Sequence, residues 1–221
     1  MSVGLAPAIG PQLLGTDISM PRKPKRANGR ATYERILDCL DEMLRQSGGT
    51  SVSLKDLAQS AQVPVASVYH FFPDPDAALA GLVERYIRSF HEAQRIEVAH
   101  FPLTTWQALL SLASARSRKV YEAHPVALRL LLGPNQCASV RKLNLESMWQ
   151  MAENLHAQVR QHFGLPVGVE LSDKFANAIM ISDSLWALSF VLHGKITDEF
   201  AIEAERAASA YLTKYLGEDG Q

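Results

Sequence analysis

The sequence predicts an all-α chain of about nine helices, on three observations. From residue 31 onward, apolar residues recur at three- and four-residue spacing in one segment after another, the period of a helix with a buried face. The joints between segments carry helix breakers: Gly48-Gly49, His124-Pro125, Gly133-Pro134, Gly164 with Pro166, and His193-Gly194. No stretch alternates apolar and polar residues over the length of a strand.

The first helix carries Tyr33, Ile36, Leu37, Leu40, Met43 and Leu44 on one face and stops at Gly48. Ser53 is a good N-cap and Asp56 completes a capping box, so a second helix starts there, with Leu57, Ala58 and Ala61 as its apolar face. Pro64 suits the first turn of a third helix, where a missing N–H costs nothing. Its spacing predicts Val65 and Val68 packed inward with Phe72 and Phe71 in the core, and Ser67, Tyr69 and His70 pointing elsewhere. Residues 51–72 therefore read as a helix-turn-helix, the arrangement that lays a helix against DNA base edges.

Asp74-Pro75-Asp76 combines a cap, a first-turn proline and an acid at the positive dipole end. It opens a long connecting helix over residues 76–98, buried along Leu79, Leu82, Val83, Tyr86 and Phe90. Thr104 and Gln107 predict a capping box before Trp106, Leu109, Leu110, Ala113, Val120 and Tyr121. A short apolar helix follows over residues 126–132, then a long one carrying Leu145, Met148, Trp149, Ala152, Leu155 and Val159. Ser172 is the expected cap of the next, and Thr197-Asp198-Glu199 opens the last, which ends near Gly217.

With 221 residues, 47% of them hydrophobic, the chain has enough to bury a sizeable core. A net charge of −1 excludes a protein that coats nucleic acid along its whole surface. The charge is uneven: Arg22, Lys23, Lys25, Arg26 and Arg30 form a basic arm without an acid, just before the first helix. Cys39 and Cys137, far apart on predicted helices, suit reduced thiols in a cytoplasm better than a disulfide framework. Residues 1–20 lack the pattern of a signal peptide and read as a disordered leader, with Met20 a candidate natural start. No stretch is expected to span a bilayer. The expected division is leader and arm over 1–30, the reader over 31–75, the connecting helix over 76–98, and a ligand-binding and dimerisation domain over 99–221.

The run Val52-Ser53-Leu54-Lys55-Asp56-Leu57-Ala58, then Ala61-Gln62-Val63, then Ser67-Val68-Tyr69-His70-Phe71-Phe72 resembles the reader of the TetR family of bacterial transcriptional regulators. The likeness covers residues 32–90; beyond them it rests on helix number and order. It departs at Gln62, where the family's turn carries Gly, and at Pro75, where a loop Lys meets a phosphate. A side chain at Gln62 must then sit in a left-handed conformation at some cost. The resemblance implies a three-helix DNA reader on a larger helical domain that dimerises and binds a small molecule. It implies that Lys55, Val65, Ala66, Ser67, Tyr69 and His70 face DNA. Arg22, Lys23, Lys25 and Arg26 are placed to enter the minor groove or meet the backbone.

Trp106, Leu110, Tyr121, Met148, Trp149 and Trp186, with His156 and Ser182 as polar groups, predict a largely apolar ligand cavity in the second domain. Phe175, Ile179 and Phe190 on the eighth helix, and Ala207 and Tyr211 on the ninth, predict a face that pairs with a second copy across a two-fold axis. No nucleophile motif, phosphate loop or zinc-like cluster occurs, and the seven histidines are scattered, so neither enzyme, metal nor cofactor is expected. The expected partners are palindromic double-stranded operator DNA, a small-molecule effector and a second copy of the chain, with no membrane. The expected role is a ligand-released repressor. The alternative is a helical ligand-binding or adaptor protein whose reader has lost DNA.

Overall fold

A computed structural model describes residues 18–95, 103–164 and 170–217. These residues form nine helices and no strand: α1 Ala27–Ser47, α2 Leu54–Ser60, α3 Val65–Phe71, α4 Pro75–Ala93, α5 Trp106–Ala123, α6 Pro125–Leu132, α7 Ala138–Phe163, α8 Ser172–His193 and α9 Asp198–Leu216. The leader up to residue 17, the stretch 96–102 and Pro166 lie outside the described residues.

The caps explain most boundaries. Gly48 takes a left-handed φ of 67° and returns its N–H to the Leu44 carbonyl, closing α1. Ser53 Oγ accepts from the Asp56 N–H and Asp74 from the Ala77 N–H, starting α2 and α4. Two expected caps shift. The α5 cap is Thr105, which accepts from Ala108, one residue beyond the expected Thr104. Ser172 is the first residue of α8 rather than its cap, and its hydroxyl is held by Glu170. The helix α4 ends at Ala93, short of residue 98, and α1 already begins at Ala27, so Arg30 belongs to it. Cys137 stands at the cap of α7, not within a helix; both cysteines are free.

Two apolar clusters hold the chain together. The larger runs unbroken from the reader (Ile36, Leu40, Leu57, Val68, Phe72) through Leu82 and Tyr86 of α4 to Tyr121, α6, Trp186 and Ala204. The second is built at the other end of the large domain from α5, α7, α8 and α9, around Trp106, Leu109, Met148, Phe175 and Leu212. Polar clamps fix α4 on α1: Tyr86 donates to Asp41 at 2.7 Å, and Arg85 pairs with Asp38 and Asp41. Reader and connecting helix are thereby one packed body.

Against expectation, one helix among the described residues, Ser172–His193, is long and apolar enough to cross a membrane by length and composition, with a mean hydropathy of 1.5. It packs against α6, α7 and α9, and carries Asp183 at its centre. Its high hydropathy reflects two apolar sides, one in the monomer and one facing out.

Candidate nucleic-acid interface and adjoining cavity

The turn between α2 and α3 is made by Gln62, whose φ of 51° is the only positive value at a non-glycine among the described residues. The expected strain is therefore present, and the Val63 N–H reaches back to the Ala58 carbonyl across the turn. Behind α3, Val68 and Phe72 are fully buried and Phe71 nearly so, its ring edge-on to Tyr33 at 5.6 Å. In front, Ala66, Tyr69 and His70 are exposed, with Ser67 half-buried. Val65 does not pack inward as its spacing predicts: it is 42% exposed, and Tyr69 43%. This seven-residue helix is anchored through Val68 and Phe71, and Val65 in its first turn stays uncovered. Apolar, hydroxyl and imidazole groups thus share one free face. Asn28 and Thr32 at the start of α1 line a groove with Ala66, Ser67 and His70, a neighbourhood that α1's apolar stripe gave no reason to expect.

The arm is docked rather than loose. The Arg22 N–H donates to the Phe71 carbonyl at 2.7 Å, and the Ser139 hydroxyl on α7 donates to the Ser19 carbonyl at 2.6 Å. Lys23 pairs with Glu84 on α4 at 3.0 Å while its side chain stays largely exposed. Arg22, Lys25, Arg26 and Lys55 are exposed and form no ion pair among the described residues. The docked arm therefore presents Arg22, Lys25 and Arg26 beside α3.

A cavity of about 890 Å³ lies in the large domain, walled by α4, α5, α7 and α8. It brings together four of the expected cavity groups on those walls, Leu110, Tyr121, Met148 and Trp186, with Ser182 as a polar one. Three expected residues fall elsewhere. Trp106 is buried in the second cluster and its indole N–H donates to the Gly217 carbonyl; Trp149 packs on the same cluster. His156 lies against the Phe175 ring with Nδ1 3.2 Å from Ser172 Oγ; burial pushes its pKa down, so the ring is a neutral core group. An aromatic on an amphipathic helix reveals that it is buried, not which of two cores buries it.

The cavity's other polar groups escaped the sequence reading. His91 on α4 meets Ser147 Oγ at 3.2 Å, and burial lowers its pKa. Gln94 donates to the Ala113 carbonyl and to Ser117, each at 2.8 Å. Asp183 projects from α8, and burial raises its carboxyl to about pKa 7. A signal existed for it: Asp183 is the one acid between Asp173 and Asp198.

The residues expected on the pairing face stand in several different environments. Phe175 is buried in the second cluster, Tyr211 packs on it while accepting from Asn177, Ile179 lines the cavity and Phe190 backs the first cluster. Ala207 is half-buried. The large apolar residues left exposed on α8 are Met180, Leu188, Val191 and Leu192, the last two about 60% exposed, and α9 exposes Ile202 as well. Because α8 is apolar nearly all round, periodicity alone does not single out one side of it.

No protein-family model matches the chain. It is 31% identical over 61 residues to the HTH-type transcriptional repressor NemR of Escherichia coli strain K12, a match spanning 28% of this chain and 31% of that protein. A TetR-family transcriptional regulator from Streptomyces coelicolor superposes with a TM-score of 0.61 at 20% identity, over 85% of this chain and 99% of the other. One from Syntrophomonas wolfei superposes with the same TM-score at 14% identity, over 86% and 97%. The reader's motif and the order of the helices thus agree with the whole architecture: this chain has the fold of the TetR-family transcriptional regulators.

Proposed function

We propose that this protein is a TetR-like DNA-binding transcriptional regulator, a homodimeric cytoplasmic repressor that leaves a palindromic operator when a small molecule fills its cavity. The observation that carries the reading is α3, where Val68 and Phe71 are buried while Val65, Ala66, Tyr69 and His70 stand free beside the unpaired Lys55, Arg22, Lys25 and Arg26. Phosphate contacts from these cations supply affinity, whereas α3 meets base edges in the major groove. No side chain on α3 reads guanine bidentately, so thymine methyls and DNA shape carry much of the selectivity.

The exposed apolar residues of α8, with Ile202 on α9, suit an isologous four-helix seam, and a two-fold dimer calls for an inverted repeat. The cavity supports effector control because Ile87, Phe90 and His91 of α4, with Gln94 at its C-cap, wall it, while the other end of α4 packs into the reader. An effector that favours a different pose of α4 shifts the spacing of two readers; one with equal affinity for both poses changes nothing.

The test is selection of inverted-repeat DNA from a random pool by the purified protein, followed by anisotropy titrations across a salt series. The expected result is a steep salt dependence, with Lys55→Ala reducing the log–log slope by about one. Leu188→Glu should give monomers that bind the repeat far more weakly. Absence of any retained DNA and a flat salt response would favour the adaptor alternative.

A further inference from the structure

The cavity contains a feature that a purely apolar ligand leaves unexplained. Asp183 sits mid-way along α8, between Ile179 and Trp186; it is half-buried, faces the cavity, and pairs with no cation among the described residues. A carboxylate drawn partly out of water without a cation beside it is costly to ionise, and such groups usually pair or lose their charge. The other charged or titratable groups on the wall are His91 by the end of α4, Arg95 just past it, Tyr121 on α5 and His162 near the end of α7. Desolvation is the sole cause of the raised Asp183 pKa; neither Arg95 nor His162 offsets it. His91 is held neutral by burial and is turned to Ser147. Among the described residues no cation is paired with Asp183.

Around this acid the wall is aromatic. Tyr121 stands edge-on to Phe90 at 4.7 Å and to Trp186 at 6.0 Å. The Trp186 indole N–H, itself buried, also has no partner. Aromatic rings on the same wall as a carboxylate that pairs with no cation favour a ligand carrying positive charge. We propose that the effector is an organic cation, an ammonium or amidinium carried on a bulky apolar body, whose charge lies against Asp183 and whose body fills the aromatic and methionine-lined remainder. This deepens the effector-site reading and rests on it. On binding, the ammonium holds Asp183 ionised and any proton on the carboxyl passes to solvent, so affinity rises with pH through neutrality.

The experiment uses the full-length, DNA-free protein, so its outcome is independent of whether the reader grips an operator. Two fluorescent probes of equal bulk are titrated: 1-pyrenemethylamine, charged across pH 6–8, and its neutral N-acetyl derivative. At pH 8 the wild type should bind the amine at least about tenfold more tightly than the amide, the effect of one charge-assisted contact. That preference should shrink at pH 6. Asp183→Asn keeps the shape and removes the charge, so it should bring both probes within about twofold of each other and abolish the pH dependence. Equal affinities in the wild type, no binding of either probe, or a preference that survives in Asp183→Asn would each overturn the proposal.

Discussion

Arg129 on α6 donates through Nη1 to the carbonyl of Leu44, the last buried residue of α1, at 2.8 Å, and to that of Gly49 at 3.1 Å. One guanidinium therefore holds the end of the reader's first helix, and the loop after it, onto the large domain. Charged hydrogen bonds of this kind contribute about 1.5–3 kcal/mol. Arg129→Ala should lower stability by that amount in a urea titration. It should also weaken the effect of any bound effector on DNA affinity, because α6 loses its grip on α1 while α4 keeps its own.

The contact between α4 and α1 rests on a missing side chain. A Cβ at Gly81 would lie 2.8 Å from Tyr33 Oη and 2.9 Å from Phe72 Cε1. A glycine inside a helix costs about 1 kcal/mol in propensity against alanine. Overpacking a fitted core costs about 1–3 kcal/mol, and here the obstacles are two ring systems wedged against each other at 4.9 Å. The overpacking wins. Gly81→Ala should be net destabilising by up to about 2 kcal/mol in denaturant melts and should weaken operator binding, since Phe72 anchors α3.

How much of this was legible in the sequence follows from what each signal encodes. Caps and breakers act locally, so Ser53, Asp74, Gly48 and Thr197 are found where the sequence puts them. The stripe of α4 is equally legible: Leu79, Leu82, Val83, Tyr86 and Phe90 are all buried, because one face of that helix is polar. The site was only partly readable. Tyr69 faces out and Phe71 inward, as their surroundings imply, but Val65 shows that an apolar residue in a seven-residue helix need not find a core. On α8 the period fails altogether, since both sides are apolar and only tertiary packing decides that Phe175 is inside and Val191 outside. The cavity's polar groups, His91 and Gln94, come from the end of a helix whose buried stripe was read as uniform core.

Gln62 holds a left-handed φ of 51° with its side chain exposed. For an L-residue that conformation costs about 1–2 kcal/mol, whereas glycine adopts it freely and loses about 0.5–1 kcal/mol of backbone entropy on folding. The difference favours Gln62→Gly. That variant should be more stable by about 0.5–1 kcal/mol in thermal or urea melts, with DNA affinity unchanged or raised.

Asp183 makes stability depend on pH in the direction opposite to most acids. Its folded pKa of about 7 lies above the ordinary value of 3.8, so between these limits the folded chain binds a proton that the unfolded chain has released. Stability from this group is therefore fully present below the unfolded pKa and is lost as pH rises through about 7. Ionising the carboxyl in this site costs up to roughly 4 kcal/mol by that linkage. Asparagine cannot ionise. Asp183→Asn should thus raise the melting temperature at pH 8 by several degrees and at pH 5 by less than half as much. Melts of both proteins across that range give the difference directly; a shift of equal size at both ends would mean that the carboxyl's charge does not set the cost. A bound cation should reproduce the gain in the wild type at pH 8, because it supplies a counter-charge from outside.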